Sequence, residues 1–192
     1  MIDYFEKTIK ILTDSLHKIS FEDFNLLLDT CEKTLKSGKK IIVSGLGKNV
    51  PICDKFVGTM LSLGLNANFL HTNSAVHGDL GMVMENDLVI ILTKSGSTKE
   101  SIYLTDALKN KKCIIWLLTF NENGILSQMI EHKLVLSLEH EGDMWNIMPN
   151  NSTILNLIVL QALAMKLAKR MNIQLKDFAI NHPGGAIGAC LK

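Results

Sequence analysis

Lys39-Lys40-Ile41-Ile42-Val43-Ser44-Gly45 decides the fold class, as a short β-branched run that is apolar without alternation, entered from two lysines and closed by a glycine. A strand with one wet face alternates apolar and polar residues, whereas a continuous run suits a strand covered on both faces. Runs of the same kind recur at 66–71, 87–93, 112–119 and 132–138, and helical patterns separate the later ones at about 51–63, 98–110 and 123–130. Strand alternating with helix implies right-handed crossovers and hence a parallel sheet with helices on both sides. The expectation is an α/β fold, a three-layer αβα sandwich on a five-stranded parallel sheet.

Outward from this core, two helical patterns occupy 3–18 and 21–36. Ile9, Ile11, Leu12, Leu16 and Ile19 form one stripe, and Ser20 stands as N-cap before Phe21-Glu22-Asp23. A long helix is predicted over about 151–171. Its apolar stretch from Ile154 to Ala168 is broken by Asn156, Gln161 and Lys166 and falls short of the ~20 apolar residues of a membrane span, so it reads as a buried helix. The length of 192 residues is that of one domain, assigned here to 1–192 with the helices of 1–37 packed on the sandwich.

Composition excludes several classes. Twenty Lys and Arg stand against 19 Asp and Glu, for a formal net charge of +1, and basic residues are not interleaved with aromatics, so neither a nucleic acid nor an anionic membrane is an expected partner. Cys31, Cys53, Cys113 and Cys190 form no C-x-x-C pair and read as reduced thiols. The N-terminal Met1-Ile2-Asp3-Tyr4-Phe5-Glu6-Lys7 lacks a basic region followed by an apolar core, so the expected location is the cytoplasm.

In open parallel sheets ligands bind beyond the carboxyl ends of the strands, and polar residues gather there in this chain. Ser44-Gly45-Leu46-Gly47-Lys48 follows the first run, His71 to Asp79 the second, Thr93-Lys94-Ser95-Gly96-Ser97-Thr98-Lys99-Glu100 the third, and Glu139-His140-Glu141-Gly142-Asp143 the fifth. Ser95-Gly96-Ser97-Thr98 ends a strand and opens a helix, which sets hydroxyls and free backbone N–H groups at a positive helix end, an anion site suited to a phosphate monoester. The same residues also make an N-cap and a turn glycine, and the segment alone leaves both readings open. Gly45-Leu46-Gly47-Lys48 satisfies neither G-x-x-x-x-G-K-[ST] nor G-x-G-x-x-G, because Pro51 and Cys53 hold the later positions. What remains is a close turn that presents Lys48 over the strand ends.

His77 in His77-Gly78-Asp79 and His182 in His182-Pro183-Gly184-Gly185 sit among glycines. Glu100 falls in the first turn of a helix, and Glu141 follows the last strand. Imidazoles and carboxylates near one pocket are what proton transfer between adjacent carbons requires. Their spacing matches no zinc motif.

Taken together these loops resemble the sugar isomerase (SIS) domain, and within it the arabinose-5-phosphate isomerases of the lipopolysaccharide and capsule type. The matching segments are Ser44 to Lys48, His77-Gly78-Asp79-Leu80-Gly81-Met82, Ser95 to Glu100, Glu141 followed by Pro149 to Thr153, and Asp177 to Gly185, in the family order and over most of the chain. The resemblance implies a sheet in flavodoxin-like order and conversion of D-ribulose 5-phosphate to D-arabinose 5-phosphate, the precursor of 3-deoxy-D-manno-octulosonate, through a cis-enediol. It implies catalytic roles for Lys48, His77, Glu100, Glu141 and His182, with Glu141 or His182 as the base. It also implies phosphosugar contacts from Ser44, Gly45, Ser95, Ser97 and Thr98, no metal and no cofactor, and a homotetramer with sites built across subunits.

The resemblance implies a pair of CBS domains in full-length relatives, and none is expected within these 192 residues. The family's usual Gly-Lys-Ser-Gly stands here as Gly47-Lys48-Asn49-Val50. Its Ser-Gly-Glu-Thr loop has Ser97 in place of the carboxylate, and the Pro-Ala-Glu-Ala before the HGD motif is Thr72-Asn73-Ser74-Ala75. These departures keep two alternatives in play: an isomerase of a hexulose or heptulose phosphate, and a phosphosugar sensor without catalysis.

Overall fold

A computed structural model describes residues 2–190, and its elements follow the predicted order. Helices α1 (Ile2–Leu16) and α2 (Phe21–Lys36) precede β1 (Ile41–Gly45). Then come α3 (Val50–Ser62), β2 (Ala67–His71), a single-turn α4 (Thr72–Ala75) and β3 (Leu88–Thr93). After these follow α5 (Lys99–Lys109), β4 (Ile114–Thr119), α6 (Ile125–Met129) and β5 (His132–Val135). The chain then forms α7 (Asn151–Arg170), α8 (Leu175–Ile180) and α9 (Gly185–Cys190). The sheet order is β2-β1-β3-β4-β5 with every pair parallel, the flavodoxin-like order.

Every residue of β1 and β3 is buried, as continuous apolar runs demand. The pleat sends alternate side chains to opposite faces. Ile41, Val43, Leu88, Ile90, Leu92, Trp116 and Leu118 meet buried residues of α2, α3 and α7, while Leu12 and Leu16 of α1 pack at their margin. Ile42, Val89, Ile91 and Leu117 meet Ala75 of α4, Leu104 and Leu108 of α5, and Leu126 of α6. Truncating a residue such as Ile90 to alanine removes contacts in a fully buried layer and costs about 2–5 kcal/mol.

The predicted Ser20 cap is present, with the Asp23 N–H donating to Ser20 Oγ at 3.1 Å. The stripe on α1 divides differently from the pattern: Ile11 is buried, but Ile9 is 63% exposed and shares the outer face with Tyr4 and Phe5. Helix α7 has the length and hydropathy of a membrane span, yet it packs along α3, α2 and α1. Of the three polar residues that interrupt it, Gln161 and Lys166 are exposed and Asn156 is buried.

The order 2-1-3-4-5 fixes where a ligand fits. From β1 the chain crosses to β2 on one side, and from β3 it crosses to β4 on the other, so the loops after β1 and β3 diverge and leave a crevice at their carboxyl ends. Lys48 stands in the first of those loops and Ser95 to Thr98 in the second.

Candidate active site

Gly45 makes the turn after β1 possible. A Cβ there would lie 2.9 Å from Asn49 Cβ and 3.2 Å from Cys53 Sγ, so no larger residue fits beneath the 3-10 turn Gly47–Asn49. Burial pushes the Cys53 thiol up to about 12, with Asp54 adding to the shift, which leaves it an inert filler under the turn. Ser44 is fully buried, its hydroxyl 3.0 Å from that of Thr72. Ser44 and Gly45 therefore shape the turn from below, and Leu46, Gly47 and the exposed Lys48 are the members of this segment that line the crevice.

The loop after β3 is held from several sides. Thr93 Oγ1 accepts from the Gly96 N–H at 3.2 Å, and Asn121 Nδ2 donates to the Ser95 carbonyl at 2.9 Å. Gly96 takes a positive φ of 65°, and a Cβ on Gly124 would come within 2.8 Å of the Ser95 carbonyl oxygen, so two glycines let the loop lie flat against the start of α6. Thr98 is the N-cap of α5, yet its side chain makes no cap hydrogen bond. Its hydroxyl and the first-turn N–H groups of an 11-residue helix are left for a ligand.

Between the two loops lies a cavity of about 270 Å³ walled by Lys48, Asn49, Thr93, Lys94, Ser95, Thr98, Ser101, Pro149, Ser152 and Asn156. Ser97 is exposed beside it but is not in the wall. With two ammonium groups, hydroxyl side chains on both sides and a helix N-terminus, the surface favours an anion.

Glu141 stands behind this wall, fully buried. Its Oε1 is 2.6 Å from Lys94 Nζ, while Oε2 accepts from the backbone N–H groups of Asn150 at 3.0 Å and Ser152 at 2.9 Å. Burial pushes its carboxyl up, but the Lys94 ammonium and the N–H groups of Ser152 and Asn150 together outweigh burial and hold it below the usual range. The carboxylate thus caps the start of α7 and fixes Lys94 at the cavity. The segment that follows is shaped by Asp143, which accepts from the N–H groups of Trp145, Ile147 and Met148 at 2.8, 3.1 and 3.0 Å.

His77 and Glu100 occupy a second, open cavity of about 480 Å³ on the other side of the first turn of α5, with Thr72, Asn73, Lys99 and Tyr103. His182 lies elsewhere. It follows α8, where its ring stacks on Phe178 with centroids 4.0 Å apart, and its Nδ1 is 2.8 Å from the Phe178 carbonyl oxygen. A carbonyl only accepts, so Nδ1 carries a proton, and the lone pair of the neutral form is on Nε2. Neighbouring Asn181 donates to the Ser62 carbonyl at 3.3 Å, at the far end of α3 from Lys48, about 18 Å along the helix. Within one chain, then, Lys48 lines one cavity with Glu141 buried behind its wall, His77 and Glu100 share the adjacent one, and His182 lines neither. The sequence reading gave no site role to Asn49, Ser152 or Asn156, and it named Lys94 only as a member of the loop after the third run.

Residues 34–166 match the SIS domain as a family. The arabinose 5-phosphate isomerase KdsD of Francisella tularensis is 32% identical over 185 residues, covering 95% of this chain and 57% of its own length. That of Pseudomonas aeruginosa is 31% identical over 183 residues, covering 95% and 56%. The chain therefore spans little more than half the length of these curated relatives. Among solved structures, an E. coli CFT073 protein in complex with arabinose 5-phosphate superposes with a TM-score of 0.85 at 26% identity, covering 94% of each chain.

Proposed function

The chain belongs to the SIS domain family, and from that premise we propose that it is an aldose-ketose isomerase interconverting D-ribulose 5-phosphate and D-arabinose 5-phosphate. The observation that carries the reading is the start of α5, where backbone N–H groups and an uncommitted Thr98 hydroxyl meet a cavity rimmed by Lys48 and Lys94. A phosphate monoester is the anion such a donor set takes. The names of the curated relatives favour a pentose phosphate over a hexulose or heptulose phosphate.

In this reading the phosphate rests on Ser95, Thr98 and the N-terminus of α5, with Ser97 at the entrance and Ser44 and Gly45 shaping the opposite turn. A base takes the proton from C1 of the ketose, or from C2 of the aldose, and returns it to the other carbon. The hydroxyl proton moves between the two oxygens in the opposite sense, and the cis-enediol lies between. Lys48 and Lys94 stabilise the negative charge that gathers on those oxygens. Glu141, committed to Lys94 and to the start of α7, holds that ammonium in place. His182, with Nδ1 engaged and Nε2 free, is the base.

His77 and Glu100 open the sugar ring or position the chain. Because His182 stands far from Lys48 in its own chain, the reaction needs a second copy to bring it to the cavity, and the exposed Leu175, Ile180 and Ile187 beside it offer apolar contact surface. The product then feeds synthesis of 3-deoxy-D-manno-octulosonate in the cytoplasm.

Proton NMR in D₂O with D-arabinose 5-phosphate tests the proposal. The expected result is conversion to ribulose 5-phosphate with deuterium at the exchanged carbon, abolished in His182→Ala. Saturable phosphosugar binding without exchange would overturn the isomerase in favour of a sensor.

A further inference from the structure

Asn156 is 2% exposed in α7, in a stretch where Leu155, Val159 and Leu160 are buried as well. Its Nδ2 donates to Asn49 Oδ1 at 3.0 Å, and Asn49 Nδ2 in turn lies 3.5 Å from the Leu92 carbonyl oxygen in β3. The carbonyl can only accept, so it orients both amides: Asn49 presents Nδ2 to β3 and Oδ1 to α7, and Asn156 answers with its own Nδ2. Asn156 Oδ1 is left buried with no hydrogen-bond partner. A buried amide satisfied on one side only adds little to stability, and a leucine among these neighbours would escape that cost. Stability does not account for the residue.

What its bond reaches accounts for more. Asn49 ends the 3-10 turn Gly47–Asn49, next to Lys48, which is exposed and lines the anion cavity. The Asn49 N–H donates to the Leu46 carbonyl at 3.1 Å and closes the turn on itself. The Asn49 amide ties that turn sideways, to β3 and to a helix residue 107 positions away. The same helix holds the other ammonium of the cavity: at its start the N–H groups of Asn150 and Ser152 bind Glu141 Oε2, and Glu141 Oε1 holds Lys94. Asn156 follows Ser152 by four residues, about 6 Å along the axis. Helix α7 thus carries two anchors one turn apart, one for each lysine that flanks the cavity.

Resting on the isomerase reading above, we propose that Asn156 is a positioning residue: through Asn49 it fixes the turn that carries Lys48, and so sets that ammonium against Lys94 and the enediol oxygens. Asn156 itself touches no substrate. Phosphate, held at Ser95, Thr98 and the start of α5, does not depend on it. Asn49 stands where the family's usual Gly-Lys-Ser-Gly has its serine, so the link is built on a position at which this chain departs from the pattern.

A double-mutant cycle on kcat, alongside phosphate titrations and thermal melts, tests this. Asn156→Leu and Asn49→Ala break the bond from its two ends, and Asn49, only half buried, keeps the test open should the core variant fold poorly. Each is expected to lower kcat for D-arabinose 5-phosphate about 10- to 10²-fold, the scale of an ångström of misplacement, while KM and the Kd of inorganic phosphate stay within about twofold. Added to Lys48→Met, which has already lost the ammonium, either substitution should lower kcat no further. Full kcat in either single variant would overturn the proposal. So would an undiminished loss in the Lys48→Met background, or a fall of phosphate affinity and Tm in step with kcat, the marks of a residue that acts on the fold and not through Lys48. Wild-type protein that binds phosphosugar without turning it over would instead sink the isomerase reading, and this role with it.

Discussion

Lys94 Nζ and Glu141 Oε1 are 2.6 Å apart, one in the loop that leaves β3 and the other in the loop that enters α7. The pair fastens the phosphate-side loop to the helix bearing Ser152 and Asn156, so two walls of one cavity are joined by an ion pair with one member fully buried. Removing the cation leaves the carboxylate uncompensated except for two backbone N–H groups. Lys94→Met should therefore destabilise the protein by about 1–3 kcal/mol, less than for a fully buried pair because Lys94 is itself half exposed. Urea unfolding at pH 7 measures it, and an unchanged midpoint would deny the pair its structural role.

The same pair sets a pH dependence. The Glu141 carboxyl is held below its ordinary value of 4.5 in the folded chain, so its contribution to stability is complete above that value and is lost as pH falls through the folded value. Melts recorded from pH 6 down to pH 3 should show Tm falling below about pH 4.5, and Glu141→Gln should flatten part of that fall. A parallel decline in the two proteins would assign the acid sensitivity to other carboxylates.

Thr98 offers a cleaner test of the anion site, because its hydroxyl makes no cap hydrogen bond and folding does not depend on it. Thr98→Val should leave Tm unchanged and weaken inorganic phosphate binding about tenfold or more, the value of one hydrogen bond to a charged group. Full phosphate affinity in this variant would remove the hydroxyl from the site.

The strands were legible because a run buried on both faces has a composition that no surface element shares, and Ile41 to Val43 and Leu88 to Leu92 have it throughout. Ends were less so. The run at 132–138 forms sheet only to Val135, although the Leu136 N–H still donates to the Thr119 carbonyl at 2.7 Å, because the chain must then turn across the strand ends toward Glu141. Glu141 itself was readable as a residue beyond the last strand. Its burial was not, since that depends on Lys94, far earlier in the chain, and on the start of a helix that follows it.

Asn156 entered the sequence reading only as an interruption of an apolar stretch. Periodicity gives a residue's face on a helix but not the polar partner, here Asn49, that makes burial tolerable. Helix α8 escaped notice for a related reason. Its six residues are held by a capping box between Gln174 and Asp177, and none of them is buried, so no apolar stripe announces it.

Glycine contacts predict opposite effects at two positions. A Cβ at Gly124 would press on the Ser95 carbonyl and on Gly96 Cα at 2.8 and 3.1 Å, both backbone atoms that cannot swing aside. Gly124→Ala should shift the anion loop and lower kcat/KM on the order of 10²-fold, the scale of an ångström of misplacement. Gly58 is exposed within α3, and a Cβ added there would meet nothing within 4 Å. It should tolerate alanine and gain about 0.5–1 kcal/mol. Steady-state kinetics and melts of the two variants decide, and equal activity in both would mean that the loop accommodates the methyl group.

The separation of His182 from Lys48 leads to the most discriminating experiment. Lys48→Met removes charge stabilisation from the cavity of its own chain, whereas His182→Ala removes the base that a neighbour's cavity would use; each alone should lower kcat by about 10²–10⁴-fold. If sites are built from two chains, co-refolding the two inactive variants creates some cavities in which an intact Lys48 meets an intact His182. Activity should then return to a fraction of wild type that depends on the mixing ratio. In a protein whose His182 served its own Lys48, every site in the mixture would lack one group and no activity would return. Recovery in the mixture, with none in either variant alone, assigns the base to the neighbouring copy and accounts for an imidazole held by Phe178 some 18 Å along α3 from the cavity it serves.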